Sequence, residues 1–309
     1  MESVTTAAAA VTLCGYINRE NPSFMILKVE HSTIFEYEEP IYETATEVRL
    51  HPASSVNSQR CASFSLQVNP PAPIFEYTDF YGNKVHHFNL LQSHKRVEIV
   101  ATSVVETVAS PVVGRVDEDE IYLLDFSAES RYVHFDPSIH SLAEQFKDIE
   151  DPCQQAMEIC RLINSSFRYE PGVTDVHSTS AVVMALGRGV CQDFAHIMLA
   201  VCRVLGVPAR YVSGYLYGGG STPDGHDEAS HAWCEVYCGG EQGWTGFDPT
   251  HKTLTVNDRY IKIGTGRDYG DVPPVRGTYK GTSAEKLSVA VRVSSLDQAT
   301  EVFEEKHPY

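Results

Sequence analysis

From Met25 to Thr107 apolar and polar residues alternate repeatedly, as in Phe64/Leu66/Val68 and Val97/Ile99/Ala101. Successive side chains of a strand point to opposite faces, so this period of two predicts half-buried strands. Gly82-Asn83 marks a turn between two of them. The pattern predicts a β-sandwich-like domain over residues 28–130, preceded by a weakly patterned extension, 1–27, in which Ala7–Leu13 reads as a short helix or an unstructured lead. Around Ala109–Asp119 the chain turns proline- and acid-bearing, and the period then changes. Ile139–Ile149, Pro152–Phe167 and Ser178–Leu186 place apolar residues three and four apart, the spacing of helices packed on a core. A domain boundary therefore falls near 125–135, with a second unit over 131–296 and a charged, unpatterned tail, 297–309. The fold class is α+β.

Within the second unit, Phe194, Ile197, Met198, Val201, Val204 and Leu205 predict a buried helix that ends at Gly206-Val207-Pro208 and begins at Cys191. Ser230–Tyr237 alternates as a strand, with His231, Trp233, Glu235 and Tyr237 on one face and Ala232, Cys234 and Val236 on the other. Gly243–Phe247 reads as a second strand, joined to the first through Gly239-Gly240-Glu241-Gln242 and stopped at Pro249. Lys252–Gly281 is rich in glycine and proline and reads as loop. Leu287/Val289/Val291/Val293 reads as a last strand that completes the core sheet or bridges the two domains.

Three residues in this pattern can carry chemistry. Cys191 stands between a glycine-bearing turn and a helix N-terminus, where unpaired N–H groups and the helix dipole favour a thiolate. His231 opens one strand of a predicted antiparallel hairpin and Asp248 ends the other, which brings them together although seventeen positions separate them. A nucleophile, a base and a group that orients the base are thus in reach of one another. The backbone N–H of Cys191 is the natural first donor to an oxyanion, while no second donor can be named. Gln192, Tyr215 and Trp233 are candidate substrate contacts, although Tyr215 fits equally well as strand packing. Asp193 in the first turn is explained by helix capping, and His196 lies about 140° around the helix from Cys191, where a structural role is expected.

Gly-Val-Cys-Gln-Asp-Phe-Ala-His at 189–196, Ser-His-Ala-Trp-Cys-Glu-Val-Tyr at 230–237 and Gly-Phe-Asp-Pro-Thr at 246–250 resemble the three motifs of the transglutaminase-like superfamily. Val29-Glu30-His31-Ser32-Thr33 and the β-rich segment after it resemble the N-terminal domain of its bacterial two-domain branch, whose members are described as candidate cysteine proteases. The resemblance implies a papain-like core with Cys191 as nucleophile, His231 as general base and acid, and Asp248 as orienter. It also implies a thioester intermediate formed on a peptide or side-chain amide. The sequence does not itself decide the fate of the thioester; hydrolysis, as in a cysteine peptidase or amidase, is the expectation. A transglutaminase, with an amine as co-substrate, and a non-catalytic binding protein on the same scaffold are the alternatives.

Composition narrows the partners. The formal charge is −17, with 24 Lys and Arg scattered among 41 Asp and Glu, which argues against a nucleic-acid partner. No apolar run is long enough to span a bilayer, and Ala7–Leu13 follows Glu2 rather than a basic region, so no membrane association and a cytoplasmic location are expected. The eight cysteines occupy apolar positions and read as core thiols, and no second Cys/His pair stands at zinc-like spacing. Neither metal nor other cofactor is expected: the calcium dependence of animal relatives would call for acidic loops, and no Asp-x-Asp-x-Asp-Gly stretch occurs. A homo-oligomer is compatible with the sequence, which does not fix the oligomeric state.

Overall fold

β1 (Phe24–Val48) is long enough to run through two sheets, and it does. The computed structural model describes residues 24–54, 58–109, 118–219 and 230–296, so Ala7–Leu13, the acidic loop Asp224–Glu228 and the 297–309 tail lie outside the described residues. The first half of β1 pairs with β5 (His94–Val108), which pairs in turn with β2 (Gln59–Asn69). Its second half pairs with β4 (Lys84–Leu90), which carries β3 (Phe75–Thr78). The change of sheet falls at Glu36–Ile41, where the register with β5 shifts. Tyr37, Ile41, Phe88, Val97 and Ile99 fill the space between the halves, which makes this the β-sandwich-like unit that the alternation predicts.

The second unit packs α1 (Glu120–Asp125), α2 (Pro137–Ala143), α3 (Pro152–Ser166), α4 (Ser180–Leu186) and α5 (Cys191–Val204) with a sheet ordered β10 (Trp244–Phe247), β9 (His231–Tyr237), β8 (Ala209–Leu216), β11 (Tyr260–Gly266). A two-residue parallel ladder joins β6 (Arg168–Tyr169) to β7 (Arg188–Gly189) just before α5. Helices α2 and α3 start for a local reason. Asp136 accepts from Ser138 N and Asp151 from Gln154 N, and a proline follows each cap at the first helical position. Helix α5 is apolar nearly all round, as a central helix must be. Phe194, Ile197, Met198, Leu199 and Val201 are each at most 2 % exposed, and burial of each side chain stabilises the fold by about 2 kcal/mol. Its far end is held by Arg203, which donates to the carbonyls of Ala209, Ala128 and Arg267.

Two expectations are corrected. Lys252–Gly281 is not a loop throughout: it contains β11 and β12 (Val275–Lys280). The glycines that suggest a loop are there for space, since a Cβ on Gly264 would lie 2.7 Å from Asn83 Oδ1. Of the two alternatives for the last strand, β13 (Glu285–Ser295) does not complete the core sheet but does bridge the units, since its Val291 packs with Tyr215 and Ile261 across the junction. It pairs with the first half of β1 from Leu27↔Ser295 to Tyr37↔Glu285, while β12 pairs with the second half. The chain thus returns from the α+β unit to complete the β domain with its own C-terminal strands, and that domain is not confined to residues 28–130.

The two units are docked through apolar packing and through side-chain amides. Leu27, Val29 and Val105 lie against Tyr215, Tyr217, Ile261 and Ile263. β11 would otherwise be an exposed edge. Asn83 donates to Thr265 O and accepts from Thr265 N, both at 2.8 Å, and Gln59 does the same for Lys262 at 2.8 and 2.7 Å. Two amides therefore stand in for a missing neighbouring strand.

Candidate active site

The start of α5 is fixed from within. Asp193 Oδ2 reaches back to accept from Val190 N at 2.8 Å and from Thr174 Oγ1 at 2.6 Å. That is the capping role expected of it, and it leaves the residue 1 % exposed. Burial pushes its carboxyl up, and the Thr174 and Val190 donors only partly counter this. Glycine is required at 189, where a Cβ would lie 2.4 Å from the same carboxylate oxygen. Cys191 follows at the first helical position, half-buried, with a backbone N–H that has no acceptor within the helix. His196 is fully buried and stacks on Tyr132, and its Nε2 accepts from Tyr269 N at 3.2 Å. Its role is structural, but Nδ1 finds no partner, so it is only half satisfied. Burial lowers its pKa to about 4, which keeps the ring neutral.

His231 and Asp248 meet as the hairpin requires. β9 and β10 are in register from Tyr237↔Trp244 to Cys234↔Phe247, and His231 Nε2 lies 2.7 Å from Asp248 Oδ2. Nε2 being committed, Nδ1 is the nitrogen left for the hydrogen bond with the Cys191 side chain. Burial alone would push the imidazolium down. The Asp248 and Cys191 partners outweigh it and raise the pKa to about 10. Asp248 is fully buried, which would raise its carboxyl, yet His231 and Thr250 hold it below its ordinary value. Every lone-pair direction has a donor: Oδ1 takes Thr250 N at 2.9 Å and the Thr250 hydroxyl, and Oδ2 takes His231 and Tyr260 Oη at 2.8 Å.

Tyr260 escapes the sequence reading, because it lies in the stretch read as loop. The one signal for it is the short alternation that opens β11. It packs edge-on against Trp233, 5.3 Å between centroids, and Trp233 in turn stacks on His231 at 6.2 Å. Trp233 is therefore not a substrate contact: it is 1 % exposed and forms the wall behind His231. Gly214 makes room for it, since a Cβ there would lie 2.5 Å from the indole. Tyr215 is corrected in the same way. It is 2 % exposed, and its hydroxyl is bound to His31 Nδ1 at 2.8 Å across the domain junction. Gln192 does face open space. It lines a cavity of about 500 Å³ that Ser230, next to His231, also borders. His31, within the Val29–Thr33 motif, borders it from the other domain, so the cleft is built by both units.

This arrangement places a thiol, an imidazole and a buried carboxylate in sequence, with the chain neighbours Gln192 and Ser230 on the wall of a cavity, and a thiol, base and orienter so arranged are what acyl transfer through sulfur needs. No helix among the described residues is long and apolar enough to cross a membrane. Residues 140–249 match the transglutaminase-like superfamily, and residues 27–106 match the bacterial transglutaminase-like N-terminal region. An uncharacterized protein of Mycobacterium leprae is 33 % identical over 283 residues, 87 % of this chain and 99 % of the relative. A protein-glutamine gamma-glutamyltransferase of Pseudomonas aeruginosa is 32 % identical over 129 residues, 39 % of this chain and 19 % of that protein. Among solved structures, a candidate cysteine protease from Cytophaga hutchinsonii superposes with a TM-score of 0.74 at 26 % identity, over 89 % of this chain and 92 % of its own. With motifs, site geometry and both halves of the fold in agreement, the chain belongs to the transglutaminase-like superfamily, in its two-domain bacterial form.

Proposed function

We propose that the protein is a cysteine peptidase or amidase working through Cys191, His231 and Asp248. The observation that carries this is the bond from His231 Nε2 to the fully buried Asp248, which leaves Nδ1 to serve the thiol. With its proton already held on His231 Nδ1, Cys191 Sγ adds to an amide carbonyl, and the oxyanion meets the free N–H at the start of α5. The imidazolium then protonates the departing amine and a thioester remains. Water, deprotonated by the same nitrogen, cleaves the thioester to a carboxylic acid and restores the thiol. Asp248 holds the ring and stabilises its charge; it takes up no proton. The solved relative from Cytophaga supports a protease. The glutamyltransferase relative supports the second reading, in which an amine replaces water and the product is a new amide.

Mass spectrometry of a glutamine-containing protein incubated with the enzyme and excess primary amine decides between them, with Cys191→Ala as control. Cleavage or deamidation by the wild type only is the expected result. Amine addition by the wild type only establishes the transferase, and activity persisting in Cys191→Ala would overturn both readings. A cytoplasmic location, without a nucleic-acid or membrane partner, is part of the same proposal.

A further inference from the structure

The cavity beside Gln192 and Ser230 extends well into the β domain, and its walls have an order that suggests what enters it. Val275, Gly277 and Tyr279 of β12 face the sandwich interior, where Val275 and Tyr279 pack against its core. Arg276 belongs to the opposite face, beside Glu47. Arg276 nevertheless borders the same cavity. Since successive side chains of a strand alternate between faces, a space that borders both sets, and Thr44 and Thr46 of β1 as well, lies over the inner face of the sheet and reaches round the outer edge of β12. Among the described residues that edge is unpaired: β12 pairs with β1 alone. Across the cavity stands one face of β13, on which Leu287 is 54 % and Val289 47 % exposed, an unusual state for two neighbouring aliphatic side chains on one strand face.

We infer that this groove binds the substrate as an extended peptide, which adds as a strand to the outer edge of β12 and lays alternate apolar side chains against Leu287 and Val289. The inference rests on the proposed acyl-transfer function and adds the substrate class to it. Backbone hydrogen bonds to the free edge supply sequence-tolerant affinity, and the pocket facing every second side chain supplies selectivity. The groove leads to Gln192 and Ser230, the chain neighbours of Cys191 and His231, so a strand seated on β12 runs towards the thiol. The C-terminal return of β12 and β13 to the β domain thereby acquires a purpose, because those two strands form the groove's wall and its apolar floor.

The test measures binding apart from turnover. A fluorescein-labelled peptide of alternating valine and threonine around one glutamine, with a lysine at each end, is titrated by anisotropy against Cys191→Ala. A twin carries N-methyl groups on every second amide, and a second twin carries them on the other set. Saturable binding is expected, weakened at least tenfold by one N-methylated set and little by the other. Leu287→Asp and Val289→Asp, at exposed positions that tolerate charge, are expected to weaken the parent peptide at least fivefold. Equal affinity for parent and both twins, equal affinity in both aspartate variants, or no saturable binding by millimolar peptide overturns the inference. Alkylation of wild-type Cys191 by iodoacetamide, followed in parallel, reports on the acyl-transfer reading separately. An unreactive thiol with intact peptide binding would sink that reading and leave the groove as a binding site for extended chains.

Discussion

Replacing Asp248 by asparagine keeps the side chain's size while removing its charge and one acceptor. The site holds the His231 imidazolium to a pKa of about 10 against an ordinary 6.5. At about 1.4 kcal/mol per tenfold, that is roughly 5 kcal/mol of preference for the charged ring. Asp248 and Cys191 share this effect against the opposing cost of burial, so loss of the carboxylate lowers the pKa of the ring and thins the population of its charged form. A second consequence adds to the first. In Asp248→Asn the new amide can keep the Thr250 contacts only by turning its oxygen towards them, which points its NH₂ at His231 Nε2. The neutral ring must then carry its proton on Nδ1, the nitrogen that has to accept from the thiol. The expected loss in kcat/KM is therefore about 10²–10³-fold, with the alkaline limb of the pH profile moved to lower pH. The assay is kcat/KM across the acid and alkaline limbs, together with the rate of Cys191 alkylation by iodoacetamide over the same range. An alkaline limb that stays in place, with alkylation unchanged, would refute the coupling of Asp248 to the base.

The same geometry sets the outcome of four other perturbations. Cys191→Ala abolishes turnover while leaving the urea midpoint near wild type, since the thiol is only half-buried; residual turnover above background contradicts its role as nucleophile. Tyr260→Phe removes one donor from the Asp248 oxygen that also holds His231, a charge-assisted bond of about 1.5–3 kcal/mol, and lowers kcat about tenfold with little change in KM; a change confined to KM would assign Tyr260 to substrate binding. Asn83→Ala leaves both Thr265 backbone groups without partners and destabilises the docked pair by about 2–4 kcal/mol, read as a lower urea midpoint. Glu235 is buried, which would raise its carboxyl, but Lys262 and Arg210 outweigh burial and hold it to about 2. A carboxyl lower in the folded state than its ordinary 4.5 stabilises the protein above that pH, and the contribution, roughly 3 kcal/mol at most, disappears as pH falls towards 2. The acid limb of stability is accordingly expected between pH 4.5 and 2 and to be shallower in Glu235→Gln, as measured by urea unfolding at stepped pH.

What the sequence discloses and what it hides have a common physical cause. Cys191, His231 and Asp248 are legible because each sits at the end of an element whose period is strong over its own length, and a hairpin fixes the last two locally. Asp193 as a cap is legible for the same reason. Tyr260, Trp233 and Tyr215 are missed or misplaced by sequence alone because their roles depend on which face of the sheet meets which layer. Trp233 shares the His231 face, but that face is covered by Tyr260 and Val256 rather than left open to substrate. Tyr215 lies where the β domain docks, a contact made through His31, 184 positions away. The pairing of β1 with β13 is the extreme case. Nothing in Leu287/Val289/Val291/Val293 says that its partner is Thr33 or His31, since the two strands come from opposite ends of the chain and no tight turn between them sets the register. That long-range closure also bears on function. A β domain made of its own N-terminal strands alone would be a neighbour of the catalytic unit, whereas one finished by the strands that leave that unit is tied to it at both ends. The cleft between Gln192 and β12 then has walls fixed by the fold itself, so substitutions at the docking amides Gln59 and Asn83 should disturb peptide use before they disturb the reactivity of Cys191.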